Sequence, residues 1–388
     1  MVFSKILSRL SLSLVWLVLL VFSFAGSVFA SGLVDTNRVY YKAEVVKIER
    51  VPNLAEAQDF RATQVVDLRF LNGEMKGKVA EDVDYPLPGI RGAEELLPIG
   101  AKVIVNATNF DPELNTGFII EDFVRDYKLW TLFGLFLLMV LAVSGLSGIK
   151  SFLGLMVSVG LIVFVFIPQV LAGGNPILLS LLVGLAMMTL TLFIAHGFNK
   201  KSLSALLGMG VTLVFVVILA TLVNKWMLLT GFVDEEIRFL YLDGIKFDFV
   251  GLLTGSMLLG ALVVLDDVTV SQSAIVHELN DANPKLSFWS LYERALRVGR
   301  DHIASTVNTL ALAYFAASLP LFLLLYQGSV APGVVLQMEL IATEITRMIV
   351  GSMAIVLSIP LTNYIACYFV KNDLLPNLKK GDHKGCSC

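Results

Sequence analysis

Seven apolar runs of membrane-crossing length follow one another near residues 129–147, 152–172, 176–196, 203–223, 248–268, 303–326 and 346–370. A helix needs roughly twenty apolar residues to cross a ~30 Å hydrocarbon core. Backbone in hydrocarbon must also satisfy its own hydrogen bonds. These runs therefore predict a polytopic α-helical membrane bundle over 129–370. Charged residues make up only 16% of the 388, against roughly 25% in soluble domains. The net charge of -3 argues against nucleic acid as a partner.

Charge placement tests the span count. With the first run entering from outside, the inner segments hold Lys150, Lys200, Lys201, Lys285, Arg294, Arg297, Arg300, Lys371, Lys379, Lys380 and Lys384. The outer loops hold Lys225, Arg238, Lys246 and Arg347. That is 11 against 4, the asymmetry of the positive-inside rule. It puts the tail 371–388 in the cytoplasm. The outer loop 224–247, with Asp234, Glu235, Glu236 and Asp243, is acidic and reads as an ordered lid or interfacial turn. Gly173-Gly174-Asn175-Pro176 is a tight outer turn.

Residues 1–30 read as a secretory signal or an N-terminal membrane anchor. Lys5 and Arg9 form a basic start, Leu10 to Phe24 an apolar core, and Val28-Phe29-Ala30 a cleavage site. Residues 35–126 then read as an extracytoplasmic all-β domain. Val66, Leu68 and Phe70 alternate with Asp67 and Arg69, a half-buried strand. Asn72-Gly73 is the strongest short hairpin signal, because both positions tolerate positive φ, with return from Lys76 to Val83. Further strands are expected at Tyr40–Val51, Lys102–Thr108 and Phe118–Phe123, with a turn from Asp111 to Gly117. Five strands suggest a small closed barrel of OB type. Between residues 32 and 128 there are 12 Lys/Arg and 17 Asp/Glu. That balance disfavours an oligonucleotide ligand and leaves a passive domain or a partner-binding cap.

Polar residues inside the apolar runs are the candidate site. Asp266 and Asp267 end the fifth run, and Ser271 shares a face with Asp267. Adjacent acids point about 100° apart. A connector over 271–302 is expected to break at Asn280 to Pro284. It should restart with Ser290 and Glu293 as a capping box, giving an amphipathic helix whose Arg294 and Arg297 suit anionic lipid headgroups. Asp301, Ser305 and Asn308 form one polar stripe entering the sixth run, and His302 and Thr306 a neighbouring one. Asn308 lies more than a turn inside and needs a partner. Asp267, Asn363 and His196 are the candidates. Gly251, Gly255, Ser256 and Gly260, and likewise Gly208 and Gly210, permit close helix approach. Glu344 and Arg347 are spaced for a local ion pair.

These stretches carry a family resemblance. The Gly-Ala, Asp and Ser residues ending the fifth run, Glu278, Pro284, Gly299-Arg300-Asp301 and Val307-Asn308-Thr309-Leu310 resemble the YibE/F-like family of bacterial membrane proteins. The resemblance implies a membrane segment, an extracytoplasmic β domain and a multi-span bundle in the bacterial plasma membrane. It implies a permease of unassigned substrate. One acid is expected where Asp266 and Asp267 stand, and Asp267 is the better match.

Two functions follow as expectations. In a secondary transporter of a small solute or ion, Asp267, Ser271, Asp301 and Asn308 would bind or relay a cation or proton. Asp266, Arg300, His302 and Asn363 would support them. In a sensor or assembly scaffold, the β domain would bind a partner protein and the polar cluster would be structural. No Ser/His/Asp spacing, His-Glu-x-x-His or Gly-rich phosphate loop is present. No catalytic residue, cofactor or metal is therefore expected. The four histidines are His196, His277, His302 and His383, and the three cysteines Cys367, Cys386 and Cys388. Cys367 reads as packing. The short tail with His383, Cys386 and Cys388 lacks the scaffold for a metal.

Overall fold

The computed structural model describes residues 39–50, 63–86, 96–107, 117–233, 235–242, 244, 247–327 and 331–372. The signal with Lys5, Arg9 and Ala30, the turn residues from Asp111, and His383, Cys386 and Cys388 lie outside them. By contacts the chain divides between Val143 and Ser144 into two compact units.

The first unit carries five strands: β1 (Tyr40–Arg50), β2 (Thr63–Phe70), β3 (Val79–Pro86), β4 (Lys102–Asn106) and β5 (Ile119–Phe123). They form one antiparallel sheet in the order β3-β2-β1-β4-β5. The alternation in β2 does what its pattern requires, burying Val66, Leu68 and Phe70 against Val45, Val103 and Val105. Asp67 departs from it and is also buried. Its carboxylate accepts the Asp82 amide at 3.1 Å, where Asp82 takes φ 56 beside a bulge in the β2–β3 pairing. Buried Gln64 accepts from the Leu97 amide at 2.8 Å and donates to the Leu97 carbonyl at 3.1 Å.

One expectation for this unit changes. β3 and β5 are the edges, with no ladder between them among the described residues, so the sheet is a half-barrel rather than a closed barrel. The hairpin expected at Asn72-Gly73 forms, with β2 pairing antiparallel to β3, although the return strand starts later than Lys76. β2 ends at Phe70 and β3 starts at Val79. The Asn72 side chain is committed elsewhere, accepting the Lys42 amide at 2.6 Å. Gly73 (φ 67) and Gly77 (φ 83) both use the left-handed region. A Cβ on Gly73 would lie 2.5 Å from the Tyr41 ring, whereas one on Gly77 meets nothing within 4 Å. Gly73→Ala should therefore cost about 1–3 kcal/mol more than Gly77→Ala, measured as faster amide exchange in β1 and β2. Equal exchange in the two variants would refute the clash.

Helix α1 (Asp126–Gly145) belongs mainly to this unit, and its most apolar stretch buries nothing, with Leu129, Trp130, Leu132 and Leu138 exposed. Such a surface suits lipid. Asp126 opens it, favourably placed for the helix dipole, and pairs with Lys42. Gly145 (φ 58, ψ -143) ends it.

The second unit begins with α2 (Gly148–Leu171), α3 (Pro176–His196) and α4 (Lys200–Trp226). A short helix, α5 (Glu235–Leu242), lies in the expected lid loop, where Phe232, Tyr241 and Phe249 stack. Then come α6 (Phe249–Ala282), α7 (Phe288–Ala317), α8 (Leu319–Gln327) and α9 (Glu339–Lys371). Asn175, Asn199, Asp248 and Ser287 cap α3, α4, α6 and α7 by accepting amides of the first turn. The cap of α7 is thus Ser287, and the expected capping box of Ser290 with Glu293 is not used: the Ser290 amide donates to Ser287 at 3.3 Å.

α6 does not stop at 268. It continues to Ala282 because Gln272, Ser273, Val276 and His277 are buried against neighbouring helices, and Asn283-Pro284 ends it. The expected run 303–326 is divided at Ser318. Pro320 explains the break: it lacks an amide hydrogen and clashes with the carbonyl four residues back. Among the described residues, six helices, α1, α2, α3, α4, α6 and α9, are long and apolar enough to cross a membrane. Arg300, Asp301, His302 and Asn308 dilute α7 below that composition. The core of the unit joins Met209, Leu213, Met257, Leu258, Leu262, Val350 and Ala354.

Contacts give the helices their directions. Lys201 pairs with Glu278 at 2.7 Å and Asn224 with Thr254 at 3.0 Å, so α4 and α6 run antiparallel. Leu291 packs with Ala366 and Cys367, while Leu310 lies against Gly351, so α7 and α9 are antiparallel. Gly299 meets Gln272, and Gly260 meets Tyr314, so α7 is antiparallel to α6 as well. One end of this unit collects Lys200, Lys201, Lys285 and Lys371. There Lys371 donates to Asn280 at 2.8 Å and to the Pro284 carbonyl at 3.1 Å.

Candidate functional site

A cavity of about 350 Å³ opens between α2, α3 and α6 toward the lysine end of this unit. α2 contributes Ser151 and Ser158, seven residues apart and so on one helical face. α3 contributes Thr191 and His196, and α6 Asp266 and Asp267. Met187, Met188, Leu192, Leu262 and Val263 supply the apolar wall. Close packing shapes it: a Cβ on Gly154 would touch Thr191 at 3.5 Å.

Both adjacent aspartates line this one cavity. Asp266 is half-buried, and its Oδ1 is shielded without a hydrogen-bond partner among the described residues. Asp267 is exposed, as is His196 at the end of α3. The Thr191 hydroxyl donates to the Met187 carbonyl at 2.8 Å, leaving its lone pairs available as acceptors. The donor set is hard oxygen plus one imidazole. It can bind a small cation, or hold and pass a proton.

The other expected site residues are elsewhere. Ser271 lies on α6 but does not line the cavity. Asp301, Ser305 and Asn308 share one face of α7 as expected, but that face is exposed. Among the described residues neither Asp301 nor Asn308 has a hydrogen-bond or ion-pair partner, so the convergence of Asp267, Asp301 and Asn308 is not formed. The cause is α7's packing face. Leu291, Ala295 and Gly299 are buried and continue through Ile303, Val307 and Leu310, which turns the stripe outward. Arg294, Arg297 and Arg300 are exposed too. His302 is half-buried with Nε2 shielded and unpartnered among the described residues.

Asn363 is fully buried on α9, with both amide atoms unpartnered among the described residues. Gln272 on α6 has the same character and was missed by sequence reasoning. Its signal is a long amide beside Ser271, in the stretch 271–302 that the sequence marks as a connector. Ser151, Ser158 and Thr191 were missed because isolated hydroxyls in apolar helices usually bond back to their own backbone. Glu344 and Arg347 form the expected pair at 2.8 Å, and the Ser318 hydroxyl donates to Glu344 at 3.4 Å, tying the end of α7 to α9.

No curated protein and no solved structure matches the chain. The family model described as YibE/F-like protein matches residues 132–372. That range takes in every wall of the cavity and leaves out the sheet, so it is narrower than the resemblance found in the sequence. Covering more than half of the chain, with a bundle of membrane-length helices inside it, the match makes this membrane protein a member of the YibE/F-like family.

Proposed function

We propose that the bundle is a permease for a small cation or proton, bound between α2, α3 and α6. The observation that carries this is the pair Asp266 and Asp267 lining one cavity inside a membrane bundle. Two carboxylates side by side repel, and a shared cation or a proton relieves the repulsion. Intramembrane acids are costly and mark ion pathways. Asp266 and Asp267 are the ion seat, His196 stands beside it as a further ligand or proton acceptor, and Ser151, Ser158 and Thr191 offer neutral oxygens. Asp301 and Asn308 take no part. Liposomes containing the full chain should dissipate an imposed proton or sodium gradient several-fold faster than protein-free liposomes. Equal rates for both ions would overturn the proposal.

Seven crossings are part of the same reading. α6 and α9 run in the same direction side by side, so the chain between them must return, and α7 lies antiparallel to both. The lysine end is then cytoplasmic and the β domain extracytoplasmic. With the native cysteines replaced, Lys285→Cys and Ala331→Cys should label from opposite sides of the membrane. Labelling from one side would return the count to six.

A further inference from the structure

The outward face of α7 is polar where those of other helices in the bundle are apolar. Asp301, Ser305, Asn308 and Thr309 are exposed with Ala304 among them. The outward faces of α4 and α9 carry Val211, Val214 and Ile218, and Ile349, Met353 and Val356. This polarity is not confined to a helix end. Leu310 would lie 3.2 Å from a Cβ on Gly351, and Val307 packs near Val268 and Ile355, so Asn308 stands midway along the helix group. A primary amide facing hydrocarbon there, without a hydrogen bond, costs on the order of several kcal/mol.

We propose that this face is covered by a second copy of this chain, in a two-fold dimer whose α7 helices meet. The chemistry is self-complementary. The Asn308 amide is both donor and acceptor, so it can bond its own counterpart across a two-fold axis. Arg300 and Asp301 are adjacent, exposed and opposite in charge. A two-fold arrangement therefore offers Arg300 of each copy to the partner's Asp301. The Thr309 hydroxyl donates to the Ser305 carbonyl at 3.0 Å and keeps lone pairs for a partner. Ala304 and Ser305 are small enough for the backbones to approach closely. Helix α1 does not suit this face, because its exposed residues are Leu129, Trp130, Leu132, Leu135 and Leu138. The apolar run from Leu10 to Phe24 has the same deficiency by composition.

The test is oxidative cross-linking of the full chain in membranes, with Cys367, Cys386 and Cys388 replaced by Ala. Ala304→Cys and Ser305→Cys should each give a band at twice the chain mass. Val211→Cys, on the lipid-facing side of α4, should not. Adding Asn308→Leu to Ser305→Cys should reduce the dimer band several-fold, and an apolar residue on an exposed membrane face should leave folding intact. No dimer from either α7 position overturns the proposal. So do an equal band from Val211→Cys, a product at another mass, or a dimer indifferent to Asn308→Leu.

Discussion

Asp266→Asn should abolish cation or proton flux while leaving the protein folded and in the membrane. Asn keeps the shape of the side chain but removes the charge. At ~4 Å and an effective dielectric constant of ~20, one unit charge is worth about 4 kcal/mol to a bound monovalent cation, on the order of a thousandfold in affinity. Asp267→Asn should reduce flux less, because Asp267 is exposed while Asp266 Oδ1 is shielded and unpartnered among the described residues. Asp301→Asn should leave flux unchanged, since Asp301 is on the outward face of α7. The thermal midpoint of Asp266→Asn in detergent should equal or exceed that of the parent, because a half-buried charge has been removed. Flux measured in liposomes separates the outcomes. Full activity in Asp266→Asn, or its loss only in Asp301→Asn, would move the site away from the α2, α3 and α6 cavity.

The contrast between Asp267 and Asp301 shows what periodicity resolves. A repeat fixes which residues share a face of one helix, and the stripe of Asp301, Ser305 and Asn308 is indeed one face of α7. It does not fix what that face meets. The cost of polar groups in hydrocarbon argued for an inward stripe. Yet α7 has a second stripe, Leu291, Ala295 and Gly299, that packs on α9 and α6 more closely than polar side chains would allow. The β unit repeats the lesson at short range. Strand positions follow from alternation, but Asp67 is buried because the backbone at Asp82 turns to meet it. The starts of α3, α4 and α6 are set by the caps Asn175, Asn199 and Asp248, and α6 overruns its expected end because burial of Gln272 and His277 outweighs their polarity. The cavity itself is assembled from three helices distant in sequence, and only its acidic pair and His196 stand out in the sequence.

Gly208→Val should break the bundle, whereas Gly210→Val should be tolerated. Both glycines are two residues apart on α4 and look equivalent in sequence. A Cβ on Gly208 would fall 2.4 Å from Thr362 Oγ1 and 2.9 Å from Thr362 Cα, while the nearest atom to a Cβ on Gly210 is Leu185 Cδ2 at 4.0 Å. The hydroxyl could rotate away, but the Cα belongs to the backbone of α9. A branched side chain must therefore push α4 and α9 apart. That displacement would open the packing of Met209 and Leu213, which are fully buried beside Gly208. Overpacking typically costs about 1–3 kcal/mol, and more where backbone must move. Without a hydrophobic force between helices in lipid, close contact itself carries the association, so little remains to compensate. The expected result is a lowered thermal midpoint and aggregation on size-exclusion chromatography in detergent for Gly208→Val, with Gly210→Val eluting as the parent. Equal midpoints would mean that α4 and α9 do not meet at Gly208 and Thr362, and the central crossing of the bundle would need to be drawn differently.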